Sequence, residues 1–226
     1  MTDTLTIDPR FRGPETSANG GYTCGLLARL LPGPAEVTLR KPPPLGRPLR
    51  VEPGETVRLT DGGQIVAEAR SAAVALDVPP APSFEAAAAL GPAYAGLGDH
   101  RFPTCFVCGT ARPDGLRLRP GRGADGVAAA AWVPEAWTAG PDGVVRPEML
   151  WAVLDCPGYW GAAPDHPMAV LGRMTGEVEP GIRAGDRCVV IGWGLGREGR
   201  KIFAGTALFG PDGRRRGRAA QTWIVL

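Results

Sequence analysis

The chain has 226 residues, a length that allows one large domain or two small ones, each able to bury a core. Its 44% hydrophobic content is that of a folded globular protein, and its 33 Gly and 24 Pro indicate many short elements joined by turns, which excludes a long helical bundle. The net charge of +2 gives no support for a nucleic-acid partner, because binding through phosphate neutralisation needs a marked basic excess.

The cysteine usage and the N-terminus both indicate a soluble protein of the reducing cytoplasm. The five cysteines form an odd set with one close pair, unlike a secreted disulfide framework. They are Cys24, Cys105, Cys108, Cys156 and Cys188. Residues 1–8 carry acidic side chains where a signal peptide needs basic ones, and no apolar run approaches the roughly 20 residues that span a bilayer.

The first part of the chain predicts one helix followed by antiparallel strands. After a strand at 5–7, a helix over 19–31 places its apolar side chains on one side, as in an amphipathic helix. These side chains are Tyr22, Leu26, Leu27, Leu30 and Leu31. Strands are then expected at 36–40, at 49–59 with a break at 53–54, and at 65–76 after a glycine turn at 61–63.

The second part repeats this layout after a segment rich in Pro and Ala, which has one short helix at 84–90. An apolar helix over 147–161 carries a single Asp, Asp155, and a hairpin turn is expected at 210–213. Strands are expected at 116–119, 127–133, 170–178, 187–194, 201–209 and 219–226. All six Trp lie in this part, which predicts the larger core there. The fold class is therefore α+β, with an internal repeat of layout.

Three features of the sequence carry a resemblance to a known family. The first is the segment 105–109 ahead of 114–118, and the second is the strand order. The third is a partial match to a helix that begins His-Gly-Gly and reaches a carboxylate nine residues later. The matching residues are Asn19, Gly20, Gly21 and Asp155. In these features the chain resembles the hotdog-fold acyl-CoA thioesterases, in particular the branch typified by phenylacetic-acid-pathway thioesterases. The resemblance covers 105–226 well and 11–76 more loosely.

The resemblance implies two hotdog domains in one chain, each a central helix wrapped by an antiparallel sheet. The expected bounds are 1–80 for a shorter N-terminal domain, 81–104 for a linker and 105–226 for the C-terminal domain. The two sheets are expected to join edge to edge. A homodimer would be compatible with the family.

The family register predicts one active site per chain, shared between the two helices. Nine residues after Asn19 comes Ala28, so the first helix has the glycine start and lacks the carboxylate. The second helix has Asp155 and begins at Pro147, which has no N–H to offer. The resemblance thus implies that Gly20 N–H polarises the thioester carbonyl at a helix N-terminus and that Asp155 acts as general base or nucleophile.

Other candidate substrate contacts are less specific. Asn19 is expected as the N-cap of the first helix and as a further catalytic contact, with Gly21 and Trp151 beside the substrate. Arg214 and Arg216, in a basic run after the hairpin turn, are either a solvated strand end or a clamp for coenzyme A phosphates. The alternatives without a role in catalysis are a tight helix entry for the two glycines and a helix-end hydrogen bond for Asp155.

The cysteine pair has the spacing of half a zinc site, but we predict no metal. The remaining metal-binding side chains, Cys156, Cys188, His100 and His166, are scattered in the sequence. Cys105 and Cys108 are therefore expected to be reduced, half-buried and structural. His166 lies in a loop flanked by prolines and is expected at the surface. Because the chain has only two His, the sequence offers few residues for a nucleophilic triad.

The sequence therefore predicts an acyl-CoA thioesterase that needs no cofactor and binds neither nucleic acid nor membrane. Its runner-up is a non-catalytic acyl-CoA-binding hotdog protein, a sensor or carrier, since fold does not fix function. A hotdog hydratase is less well supported, because the Asp/His pair of such enzymes has no evident match.

Overall fold

The computed structural model describes residues 4–226 and contains one antiparallel sheet with four α-helices against it. The strands are β1 Thr4–Thr6, β2 Ala35–Leu39, β3 Pro48–Glu52, β4 Val57–Asp61, β5 Gln64–Ser71, β6 Gly121–Arg122, β7 Ala128–Trp132, β8 Ala169–Val178, β9 Cys188–Glu198, β10 Lys201–Phe209 and β11 Arg215–Val225. The helices are α1 Gly20–Ala28, α2 Phe84–Leu90, α3 Pro147–Val153 and α4 Cys156–Ala162. Residues 1–3 of the acidic N-terminal segment lie outside the described part.

The strand order shows how the two halves of the chain meet. The order is β1-β3-β4-β5-β2-β8-β11-β10-β9-β7-β6, so five strands of the first half stand beside six of the second. The junction is an antiparallel pairing of β2 with β8, in which Ala35 lies opposite Gly176 and Thr38 opposite Arg173. The predicted edge-to-edge joining of the two sheets is therefore confirmed.

Helix α1 is buried on every side. It packs against α3 and also against β2, β5 and β8, and all its residues from Gly21 to Ala28 are buried. The predicted helix is present, but its expected amphipathic character is wrong, because α1 lies between a second helix and the sheet and has no solvent face. It also ends earlier than expected, at Ala28, and Leu30 beyond it is 45% exposed.

The predicted helix over 147–161 is two helices with a break at Leu154 and Asp155. Pro157 explains the break, because it has no N–H to bond the carbonyl of Val153 and its ring would collide with that carbonyl. Pro157 instead occupies the first turn of α4, where a proline is tolerated. The break places Asp155 at a corner between two helices and not on the side of one.

The predicted strand at 116–119 is absent, since this stretch of the described chain pairs with a turn and not with the sheet. Arg117 has a φ of 55°, a left-handed conformation that a strand does not accommodate. On either side of it, Leu116 N–H donates to Phe106 O at 2.8 Å and Leu118 N–H to Val107 O at 2.9 Å. The stretch therefore clamps the turn that carries Cys105 and Cys108.

The remaining expectations for single elements hold with small shifts. Helix α2 has the predicted bounds, and the predicted turns at 61–63 and 210–213 join β4 to β5 and β10 to β11. Strand β5 stops at Ser71, before the expected end at 76, and β11 starts at Arg215, before the expected start at 219. Among residues 4–226, no helix has the length and apolar character needed to cross a membrane.

Candidate functional site

Asp155 is held at the corner between α3 and α4 by a side chain from the sheet. Gln221 of β11 donates from Nε2 to the backbone carbonyl oxygens of Asp155 at 3.0 Å and Leu154 at 2.5 Å. The Leu154 carbonyl has lost its helical partner at the break, so Gln221 satisfies it, whereas the Asp155 carbonyl also accepts from Gly158 N–H at 3.3 Å. Sequence reasoning missed Gln221, because a buried Gln inside a strand leaves no local pattern.

The carboxylate of Asp155 faces the N-terminus of α1. Its Oδ2 accepts hydrogen bonds from Asn19 Nδ2 at 2.7 Å and from Gly21 N–H at 3.0 Å. Asn19 is also the N-cap of α1, as predicted, since its Oδ1 accepts from Tyr22 N–H at 2.9 Å. Within residues 4–226, the other carboxylate oxygen, Oδ1, has no hydrogen-bond partner. One oxygen is thus fixed and the other is unengaged.

Two glycines let α1 approach α3 closely enough for these bonds. A Cβ added at Gly21 would lie 2.5 Å from Asp155 Cβ, and one added at Gly25 would lie 2.7 Å from Glu148 Cα. Because Gly21 meets the end of α3 and Gly25 its beginning, the two helices are antiparallel. This direction brings the start of α1 to the carboxylate of Asp155, which follows α3.

The environment of Asp155 changes its acidity. The side chain is 2% exposed, and burial raises the pKa of Asp155 to about 7. The hydrogen bonds from Gly21 and Asn19 favour the ionised form and lower the pKa, whereas the negative charge of a Cys105 thiolate raises it. A carboxylate with this pKa can both accept and return a proton near neutral pH.

A cavity of about 420 Å³ opens beside Asp155 and Gly20. Among its lining residues are Asn19, Gly20, His100, Cys105, Cys108, Asp155, Cys156, Tyr159, Trp160, His166, Leu171 and Trp223. Within the described chain, Gly20 N–H makes no hydrogen bond, because it is the first of the helix N–H groups and the next ones go to Asp155 and Asn19. The cavity therefore borders both an unpaired helix N–H and a carboxylate.

The structure does not bring every predicted substrate contact to this cavity. Gly21 uses its N–H on Asp155, and Trp151 lies in the helix interface, close to Gly25 and Gly176. Arg214 and Arg216 lie at the β10–β11 hairpin, outside the cavity lining, and Arg216 pairs with Asp212 at 2.7 Å. Trp151 and the two arginines therefore gain no support from the geometry as substrate contacts.

Other cationic side chains do border the cavity. Arg40 and Lys41 follow β2, and Arg101 belongs to the loop before the cysteine turn. All three are exposed, and Arg101 pairs with Asp99 at 3.3 Å. They come from both halves of the chain, so sequence spacing gave no reason to group them.

The close pair of cysteines and the cysteine at the start of α4 form one buried cluster at the cavity wall. Cys105, Cys108 and Cys156 have their sulfur atoms within 4.8 Å of one another, and Cys105 and Cys108 are each only 4% exposed. The half-buried state predicted for the pair is therefore wrong. Hydrogen bonds from Cys108 and Cys156 hold the pKa of the Cys105 thiol well below its usual range, and burial raises the pKa of the Cys156 thiol.

The two histidines also reach this wall. His100 Nε2 lies 3.3 Å from Cys108 Sγ, so His100 is not remote from the cysteines as its place in the sequence suggests. His166 is half-buried, with its ring centroid 5.1 Å from that of Trp160, and it lines the cavity. The expected surface position of His166 is therefore wrong, because its loop folds back over α4.

Comparison with known proteins identifies the fold. No family profile and no curated protein sequence matches the chain. Among solved structures, the tesB protein of Mycobacterium avium subsp. paratuberculosis is 14% identical with a TM-score of 0.60, over 99% of this chain and 92% of that one. A candidate thioesterase II from Thermobifida fusca is 15% identical with a TM-score of 0.62, over 99% and 91%.

A conserved protein of unknown function with a hotdog fold from Alicyclobacillus acidocaldarius is also similar over nearly the whole chain. It is 12% identical with a TM-score of 0.57, over 99% of this chain and 92% of that one. Identities this low show the fold alone. The chain therefore has an α+β double-hotdog fold, with central helices wrapped by an antiparallel sheet, as the resemblance implied.

Proposed function

We propose that the protein is a thioesterase that hydrolyses an acyl-CoA to the free acid and coenzyme A. The observation that carries the proposal is the meeting of Asp155 with the N-terminus of α1 at one cavity. Asp155 brings an unengaged carboxylate oxygen and Gly20 an unpaired N–H, and each comes from a different half of the chain. A base and an oxyanion donor beside the same space are what attack of water on a thioester needs.

The proposed reaction uses each part of the site once. Asp155 Oδ1 takes a proton from a water molecule, whose oxygen attacks the thioester carbon while Gly20 N–H stabilises the carbonyl oxygen as it becomes negative. The C–S bond then breaks, and the departing coenzyme A thiolate takes the proton from Asp155. This returns Asp155 to its ionised form. Asn19 and Gly21 keep the carboxylate in place through Oδ2. The products are the carboxylic acid and free coenzyme A.

The cavity fits the two ends of such a substrate. Its wall includes Tyr159, Trp160 and Trp223, which suit an apolar acyl group. Its exposed cations, which include Lys41 and Arg101, suit phosphate groups outside it. The names of the tesB and thioesterase II neighbours support the same reaction class, through the shared fold.

Release of free coenzyme A from a panel of acyl-CoA thioesters tests the proposal. The panel combines short, medium and long aliphatic chains with aryl-acyl groups, and chromatography follows coenzyme A and acid together. Equal release of both products from at least one substrate is expected. Saturable binding without release across the panel would contradict the proposal and support an acyl-CoA sensor or carrier.

Two substitutions of Gly20 distinguish the role of its N–H from the effect of adding a side chain. Gly20→Pro removes the N–H while keeping a conformation suited to the first helical position, and Asn19 before it is already extended, with ψ at 133°. A Cβ at residue 20 would press on Leu171, at 2.9 Å, so Gly20→Ala is the control that shares this Cβ contact and keeps the N–H. We expect kcat for Gly20→Pro to be about 10²- to 10³-fold below that of Gly20→Ala. Equal kcat values for the two variants would exclude Gly20 as the oxyanion donor.

A further inference from the structure

We propose that Cys105, Cys108 and Cys156 bind one zinc ion at the wall of the cavity. The proposal goes beyond the thioesterase reaction and does not depend on it. The three sulfur atoms come from two distant segments, the turn at the start of the second half and the first residue of α4. Such a metal would tie the turn to the helix next to Asp155.

The spacing of the sulfur atoms fits tetrahedral coordination. Zinc–sulfur bonds of about 2.3 Å in a tetrahedral site place two thiolates about 3.8 Å apart. Cys105 Sγ lies 3.8 Å from Cys156 Sγ, and all three sulfurs lie within 4.8 Å of one another. No sulfur pair therefore exceeds the spacing that one zinc ion requires by more than about 1 Å.

His100 is arranged as a donor to the cluster and not as its fourth ligand. Its Nδ1 accepts the N–H of Phe102 at 3.0 Å, so in the neutral ring the proton is on Nε2. That nitrogen lies 3.3 Å from Cys108 Sγ and 3.1 Å from Cys108 O. An N–H directed at a ligand sulfur stabilises the thiolate and orients it, as outer-shell groups of metal sites do.

A second donor points at another sulfur of the cluster. Asn19 Nδ2 lies 3.9 Å from Cys105 Sγ, in addition to its bond to Asp155. Two sulfurs of the cluster thus face nitrogen donors. Such donors stabilise thiolates, whereas buried thiols behave as small apolar side chains and need no donor. All three cysteines also line the cavity, from which a water molecule can supply the fourth ligand.

Metal analysis of the purified, reduced protein tests the site. Protein produced with zinc in the medium is expected to contain about one zinc per chain by elemental mass spectrometry. After chelation, addition of Co²⁺ to the same folded protein is expected to give thiolate-to-cobalt absorption and the visible bands of a tetrahedral site. Folded wild-type protein with all thiols reduced that neither retains zinc nor takes up Co²⁺ would overturn the proposal.

Variants assign the ligands. Cys105→Ser and Cys156→Ser are expected to lower zinc affinity at least about 100-fold, whereas Cys188→Ser, at another fully buried cysteine outside the cluster, should keep the wild-type zinc content. His100→Ala is expected to keep the site and weaken it about 10- to 100-fold. Zinc that is retained in both Cys105→Ser and Cys156→Ser, or lost equally in Cys188→Ser, would show that the cluster is not its site.

Discussion

Asp155→Asn is expected to lower kcat for acyl-CoA hydrolysis by about 10²- to 10⁴-fold, the range that a positioned general base contributes. Asn can still accept the hydrogen bonds that Asn19 Nδ2 and Gly21 N–H make to Oδ2, so the N-terminus of α1 stays in place. It cannot take a proton from water at the other position. Burial disfavours the charge of Asp155, so a neutral amide there should not lower the melting temperature.

Glu148→Gln is the matched control for this measurement. Glu148 is also a buried carboxylate of the same helical segment, at the opposite end of α3, where it pairs with Arg146 at 3.5 Å. At that end α3 starts with Pro147, which has no N–H, and α1 ends at Ala28, which has no carboxylate. We therefore expect no second site of the proposed kind there. Glu148→Gln should keep kcat within about threefold of wild type. Turnover that survives in Asp155→Asn, or falls equally in both variants, would refute the proposed base.

Patterns of short range in the sequence predict the α+β layout, whereas the double-hotdog arrangement was implied by the resemblance to the thioesterase family. The alternation of the strands, the glycine turns and the start signals of the helices are all local. The register of the family motif then pointed to Asp155 and the first turn of α1. Pro157 inside the apolar run is a further local signal, because a proline ends or breaks a helix. The corner between α3 and α4 agrees with the alternative in which Asp155 lies at a helix end.

The parts of the site that could not be predicted depend on contacts between distant segments. Gln221 reaches Asp155 from the last strand, and His100 reaches Cys108 only because the loop before the cysteine turn folds over it. The arginines at 214 and 216 form a conspicuous run in the sequence, yet the hairpin holds them away from the cavity. A pattern in sequence shows which residues could bind a ligand, whereas the strand order decides which of them meet.

Gly192→Ala is expected to destabilise the protein by about 3 kcal/mol or more, at the upper end of the effect of overpacking. Gly192 lies in β9, and a methyl group there would overlap the carbonyl of Pro157 in α4. The overlap is with backbone, so no side chain can rotate away from it. Either β9 or α4 has to move, and β9 is held by pairing with both β7 and β10.

Movement of α4 would also shift the corner that carries the proposed base, because Asp155 precedes Pro157 by two residues. Gly192→Ala should therefore lower both the midpoint of urea unfolding and, in the folded protein, kcat. Gly194→Ala is the control in the same strand, since its Cβ would lie 3.4 Å from Ala162 Cα, an ordinary contact, and should cost less than about 1 kcal/mol. Equal unfolding midpoints for the two variants would show that α4 is free to move away from β9. The position of Asp155 would then have to depend on Gln221 and α1 alone.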